Sequence, residues 1–297
     1  MKRDCSDFDA WAIAALGEVE LALERWVPMA APAGLGEAMR YAVLEGGKRL
    51  RPLLVLAACD AVQGDRESAM RAACAVELIH AYSLVHDDMP CMDNDIIRRG
   101  KPTVHVKYGQ AIAMLAGDTM QALAFEVLPP EQGVPAPLQA KFCALLARAS
   151  GHAGMAGGQA IDLASIGAPL DEQALREMHR LKTGELLKAC VLMGASCGAT
   201  SAQQWRALDV YGAAIGLAFQ VVDDILDVTQ ESAVLGKTAG KDLDNNKPTF
   251  VTVLGLERAH EHARDLRDQA HQALRSSGLS ETQALNMLAE RIVDRES

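Results

Sequence analysis

Apolar residues recur at intervals of three and four along nearly the whole chain, and this spacing constrains the fold more than any other feature. Leu16, Val19, Leu23 and Trp26 are typical. Side chains at that interval share one face of an α-helix and can be buried together. No convincing period-2 run marks a strand, and strand and helix patterns do not alternate. The spacing predicts an all-α fold, with helices over 8–27, 34–45, 51–62, 66–88, 109–128, 137–150, 152–164, 171–193, 201–228, 248–275 and 281–291. Breaks are short: Ala31–Gly34, Pro129–Pro137, and Gly167–Pro169 followed by Asp171, a good N-cap. No linker is long or biased enough to divide the chain, so a single domain over residues 1–297 is expected.

Two acidic motifs stand at the feet of apolar helices. In the first, Asp87, Asp88, Asp93 and Asp95 are followed at once by Arg98 and Arg99. On an uninterrupted helix Asp93 would lie about 120° from Asp87. Pro90 disfavours helical geometry at Met89, so the helix should end or bend there and return Asp93 to the side of Asp87. Acids at a helix C-terminus oppose the helix dipole, which a simple polar loop end does not explain. In the second motif, Asp223 and Asp227 are one turn apart and fall within about 40° on one helix face, with Gln220 on the same side. Two carboxylates on one face repel unless a cation lies between them, and magnesium held by carboxylates and substrate phosphates answers that need.

Cations accompany these acids although the net charge is −10. They cluster at Lys48-Arg49-Leu50-Arg51, at Arg98-Arg99-Gly100-Lys101 and between Lys237 and Lys247. An acidic chain with local bases suits a small anionic ligand and argues against a general nucleic-acid surface. Lys48 and Arg51, behind Gly46-Gly47, form a candidate phosphate site. His80 shares the stripe of Asp87 two turns deeper, where a core role and a ligand role weigh evenly. Lys182-Thr183-Gly184 interrupts a helix with polar residues. The run Gly151–Gly158 follows no strand, so it is not a dinucleotide fingerprint; Gly154 and Gly158 rather allow helices to approach closely. Residues 229–249 lack periodicity, as a functional or disordered loop does.

Together these residues resemble the trans-isoprenyl diphosphate synthases, and bacterial farnesyl diphosphate synthase (geranyltranstransferase) most. The matching stretches are Gly47–Pro52, His80–Asp93, Arg98–Gly100, Gly117-Asp118, Gly154–Gln159, Lys182–Gly184, Gly216–Asp227, Gly236–Asp242 and Asn246–Thr249. The resemblance implies a helical bundle around a central cavity, with the two aspartate motifs facing each other, and a homodimer. It implies that Asp87 and Asp93 bind two magnesium ions and Asp223 a third, with Asp88 and Asp227 in or near that shell. The three ions would bridge the diphosphate of dimethylallyl or geranyl diphosphate, aided by Arg98, Lys182, Lys237 and Lys247. Lys48, Arg51, His80 and Arg99 would hold isopentenyl diphosphate, and Thr183 and Gln220 would sit beside the ionising carbon. The Gly236–Lys247 loop would close over bound diphosphate. Tyr82 and Ser83 would form the floor that sets chain length, and an aromatic at Tyr82 accompanies a fifteen-carbon product. Phe250 departs from the family, which often has tyrosine there.

The expected activity is therefore a magnesium-dependent synthesis of farnesyl diphosphate. Geranyl or geranylgeranyl diphosphate synthase is the neighbouring alternative, and a class I terpene cyclase or a non-catalytic homologue the more distant ones. A cyclase needs no isopentenyl site like Lys48, Arg51 and His80, and a non-catalytic homologue would have lost aspartates. No run approaches the roughly 18 apolar residues of a membrane span. The charged Met1–Cys5 lacks a signal-peptide core, which together with the absent span implies the cytoplasm. Seven cysteines without a C-x-x-C pair read as reduced core residues.

Overall fold

A computed structural model of the protein describes residues 2–44, 46–167, 170–229 and 249–295. The fold is all-α, as the spacing predicts. In chain order the main helices are α1 (Lys2–Trp26), α2 (Leu35–Val43), α3 (Leu50–Ala61), α4 (Arg66–Asp87), α5 (Val104–Tyr108), α6 (Gln110–Glu126), α7 (Ala136–Ser150), α8 (Met155–Ala164), α9 (Glu172–His179), α10 (Glu185–Ser196), α11 (Ala202–Thr229), α12 (Phe250–Leu254), α13 (Leu256–Ser277) and α14 (Gln283–Val293). Apart from shifted helix ends, the sequence expectation differs at four places, the first being α5, which it lacks. The predicted helix 171–193 is divided by a π-helical turn, Arg180–Gly184. The predicted helix 248–275 is divided at Gly255, whose φ of +82° no regular helix accommodates. A two-residue antiparallel ladder, Ile97–Arg98 (β1) with Lys101–Pro102 (β2), closes the turn around Arg99-Gly100. It is too short to show a period.

The helices gather into two compact units, Met1–Leu56 with Asp65–Cys143, and Ala57–Gly64 with Ala144–Ser297. In the first unit α4 is the buried element. Asp65 caps its start, accepting from the amide of Ser68 at 2.7 Å. Every residue from Ala72 to Ile79 is buried, so this helix has no solvent face there. That run includes Glu77, only 2% exposed. Glu77 is tolerable because Arg49 Nη1 donates to it at 2.7 Å, while Arg49 Nε donates to Glu20 at 2.6 Å and Nη2 to the carbonyl of Val43. Burial alone would lower the Arg49 pKa, but Glu77 and Glu20 outweigh it and raise the value. At its far end α4 meets α6 at Gly117. A Cβ there would stand 2.0 Å from the His86 ring. His86 in turn lies 3.1 Å from the carbonyl of Met114.

In the second unit α11 is central, with α10, α13 and α14 packed on it. Tyr211 of α11 is fully buried and donates its hydroxyl to the carbonyl of Leu285 at 2.7 Å, tying α11 to α14. Gly216 of α11 faces Gly184, where a Cβ would come within 2.9 Å of the Gly184 Cα. Gly158 of α8 meets the backbone of Lys182 as closely. Backbone-to-backbone contact at these glycines seats the π turn between α8 and α11. Among the described cysteines none forms a disulfide, and Cys59, Cys74 and Cys190 are buried.

Breaking a buried ion pair from one side leaves an uncompensated charge. Glu77→Gln or Arg49→Met should therefore lower the unfolding free energy by about 3–5 kcal/mol. The double variant Arg49→Met/Glu77→Leu should recover much of that loss. Urea unfolding of all three checks this; equal losses in the single and double variants would contradict it.

Candidate active site

The first acidic motif occupies the end of α4 in the first unit. The helix stops at Asp87, and the amide of Asp93 donates to the carbonyl of Asp87 at 2.9 Å. Asp93 is thus brought back beside Asp87, as the break at Pro90 predicts. Two further turn bonds to the carbonyl of Met89, from Met92 at 2.9 Å and Asn94 at 3.1 Å, hold the return in place. Asp87 and Asp93 are partly exposed. Asp88 is different. It is 3% exposed and receives a fork from Arg98, with Nε at 2.8 and 2.9 Å and Nη2 at 2.6 Å. Burial pushes its carboxyl up, and Arg98 opposes that push. Arg98, expected to contact substrate, spends its guanidinium on Asp88.

A cationic cluster surrounds His80. Burial, then the guanidinium groups of Arg51, Arg99, Arg98 and Arg49, hold its imidazole well below the ordinary histidine range. Neutral His80 among several arginines is what an anion-binding wall needs, since the ring can donate a hydrogen bond without adding charge. Arg99 Nη1 donates to the carbonyl of Gly46 at 3.0 Å. A side chain at Gly47 would strike that guanidinium at 2.7 Å, and Gly47 has a φ of +94°. Gly47 therefore admits the Arg99 guanidinium. Lys48 points outward and is exposed, whereas Arg49 between Lys48 and Arg51 is buried. Tyr82 is buried, its ring edge-on to His86 at 5.8 Å. Burial and the nearby Asp87 raise its pKa. Ser83 donates to the carbonyl of His80 at 2.8 Å.

The second motif lies on α11 in the second unit. Asp223 is the open acid, its side chain 39% exposed, and Arg295 Nη2 donates to it at 3.0 Å. Asp227 is buried, so the two acids on that face have unequal access to solvent. Asp224 is buried and bridges two elements. Its Oδ1 accepts from Gln220 Nε2 at 2.9 Å and its Oδ2 from the amide of Phe250 at 2.7 Å. Thr183, in the π turn, donates to Gln220 Oε1 at 3.0 Å. Lys182 Nζ donates to buried Asp162 at 2.6 Å. The phenyl ring of Phe250 stacks on His179, centroids 5.3 Å apart and planes 27° apart. Lys237, Lys247 and the Gly236–Lys247 loop lie outside the described residues.

Among the described residues no three acids, histidines or cysteines converge on one point as a preformed metal cage. Magnesium needs none, because it keeps several waters and binds through one or two carboxylates and substrate phosphates. Partly exposed Asp87, Asp93 and Asp223 fit that donor set. Buried Asp88 and Asp224, whose oxygens already accept hydrogen bonds, fit it less well.

The polyprenyl synthetase family matches residues 32–288, most of the chain. The chain belongs to that family. Its activity is that of a prenyltransferase. Geranylgeranyl pyrophosphate synthase of Capsicum annuum, a chloroplastic protein, is 46% identical over 281 residues, covering 94% of this chain and 76% of that protein. An FPP/GFPP synthase of Zymomonas mobilis, solved without ligand, is 42% identical with a TM-score of 0.86, covering 97% of this chain and 99% of that one. A geranyltransferase of Helicobacter pylori, solved with magnesium and isoprenyl diphosphate, is 33% identical with a TM-score of 0.85, covering 95% and 96%. The chloroplastic relative overturns the cytoplasmic expectation: an enzyme's compartment is set by address signals, which a fold's surface and hydropathy do not reveal. No described helix is long and apolar enough to cross a membrane.

Asp162, Asp224 and Arg295 escaped the sequence reading. Asp162 and Arg295 lie 20 and 72 positions from their partners, and nothing local announces such pairing. Asp224 does carry a local sign, since the second acid of an Asp-Asp pair on a helix points about 100° away from the first.

Buried His179 has its pKa lowered from an ordinary 6.5 to about 3, by burial first and then by Lys182. It is therefore neutral near pH 7, and its 3.7 Å approach to Asp224 is no ion pair there. A base with a depressed folded pKa binds fewer protons folded than unfolded, so stability falls as pH drops from about 6.5 toward 3. The limiting slope is about 1.4 kcal/mol per pH unit. His179→Phe, which keeps the stack, should lose stability less steeply between pH 7 and 4 in urea unfolding. A slope equal to the parent's would contradict this assignment.

Proposed function

We propose that the whole chain forms one catalytic domain that condenses isopentenyl diphosphate with an allylic diphosphate, magnesium-dependently, and elongates to geranylgeranyl diphosphate. The return of Asp93 to Asp87, beside a cluster of arginines around neutral His80, is the observation that supports the condensation. The name of the Capsicum relative supports the twenty-carbon product. Farnesyl diphosphate is the second reading. Tyr82, a buried aromatic five residues before Asp87, and the FPP/GFPP synthase likeness favour it.

Asp87, Asp93 and Asp223 would hold magnesium carrying the allylic diphosphate, which when bound neutralises charge on the departing group. Lys182, and Lys237 and Lys247 from outside the described residues, would add positive charge to the same group. Arg51, His80, Arg99 and exposed Lys48 would hold isopentenyl diphosphate. Thr183 and Gln220 would turn oxygen dipoles toward the allylic carbon as its C–O bond breaks. The isopentenyl double bond then attacks that carbon, and a proton leaves to form the new double bond. Holding both reactants in line makes the attack effectively unimolecular, which lowers the barrier further. Asp88 serves this scheme by fixing Arg98 against the motif.

Purified protein with magnesium, isopentenyl diphosphate and dimethylallyl diphosphate should yield twenty-carbon prenyl diphosphate as the main product. Arrest at fifteen carbons would transfer the conclusion to the second reading. Absence of condensation with dimethylallyl, geranyl and farnesyl starters alike would overturn both. Tyr82→Ala should lengthen the product by at least one isopentenyl unit, and an unchanged distribution would remove Tyr82 from chain-length control.

A further inference from the structure

The hydrogen-bond chain Thr183–Gln220–Asp224–Phe250 contains a directional element that neither acid motif nor metal binding requires. A carboxylate has only acceptors. Asp224 spends Oδ2 on the Phe250 amide and Oδ1 on Gln220, so Gln220 must present its NH2 to Asp224. The amide cannot be turned over, because its carbonyl would then oppose a carboxylate oxygen. Amide orientation is ordinarily ambiguous in a structure, but here the chemistry of the neighbour decides it. Gln220 Oε1 is left facing Thr183, whose hydroxyl proton is drawn onto it at 3.0 Å. The lone pairs of Thr183 Oγ1 are thereby turned away from Gln220. With the amide reversed, Gln220 would donate to Thr183 instead, and the hydroxyl proton would swing outward.

We propose that Asp224 is a positioning residue that sets the polarity of the Gln220–Thr183 pair, so that oxygen lone pairs rather than N–H or O–H groups face a developing positive charge. Through Oδ2 the same carboxylate fixes the first residue of α12, which follows the segment carrying Lys247. Asp224 touches no substrate in this role. The proposal rests on Thr183 and Gln220 lying beside the ionising carbon; the polarity itself does not.

Asp224→Asn keeps the shape but removes the compulsion. One of its two acceptors becomes a donor, so it must release Phe250 or reverse Gln220. In the metal-free protein, 15N NMR should show a slowly exchanging Gln220 side-chain NH2 in the parent and fast exchange in Asp224→Asn. Equal exchange would overturn the polarity claim whether or not the protein condenses anything. In the assay, Asp224→Asn should lower kcat about a hundredfold, with KM for both diphosphates nearly unchanged. Mn2+ affinity by electron paramagnetic resonance should match the parent's; weaker Mn2+ binding would make Asp224 a ligand and overturn the proposal. In Gln220→Ala the further change Asp224→Asn should cost little, since the group it orients is gone. Additive losses would show that Asp224 acts by another route. Failure of the parent to condense, with NMR protection intact, would sink the proposed reaction and the catalytic use of the polarity, leaving the polarity standing.

Discussion

A carboxylate taken out of water must be given hydrogen bonds or a counter-charge, and both aspartate pairs of this chain are built around one that has been. Asp88 is buried against the Arg98 fork, and Asp224 against Gln220 and the Phe250 amide. Their predecessors, Asp87 and Asp223, stay open to solvent. Each Asp-Asp pair therefore divides by environment, with one acid buried as an internal anchor and the other partly exposed. Two adjacent residues on a helix point about 100° apart, so the division follows from helical geometry once one acid is buried.

The anchors matter because they fix what surrounds the open acids. Asp88 holds Arg98 across the turn that carries Asp93 and Asp95, and Arg98 lies 3.7 Å from Asp95 as well. Asp224 links the π turn, α11 and α12. That linkage needs the backbone contacts at Gly158 and Gly216, where any side chain would push the π turn away. A π turn costs regular hydrogen bonding, and such turns recur at functional positions. Here it carries Lys182 and Thr183, each engaged by a side chain from another helix.

Much of this was legible in the sequence. Three-four spacing predicts the helices, Pro90 predicts the return of Asp93, and Asp171 caps α9, accepting from Ala174 at 2.8 Å. The same reasoning is blind where partners are distant or the signal is shared. Lys48, Arg49 and Arg51 look alike in a basic run, yet only the middle one is buried, because Glu20 and Glu77 come to it from two other helices. Gly47 makes room for the Arg99 guanidinium, which comes from 52 positions away and leaves no local sign. Arg295, outside the family match, donates to Asp223 from 72 positions away with no local sign. Compartment and product length turn on targeting signals and on the shape of a cavity floor, and neither is written in helical periodicity.

Binding of an allylic diphosphate analogue with an unreactive leaving group, measured by calorimetry with and without magnesium, tests the central claim most directly. Tight binding should require magnesium and should be lost separately in Asp87→Ala and in Asp223→Ala, each still folded. Binding indifferent to magnesium, or undiminished by either substitution, would contradict the assignment of the open acids.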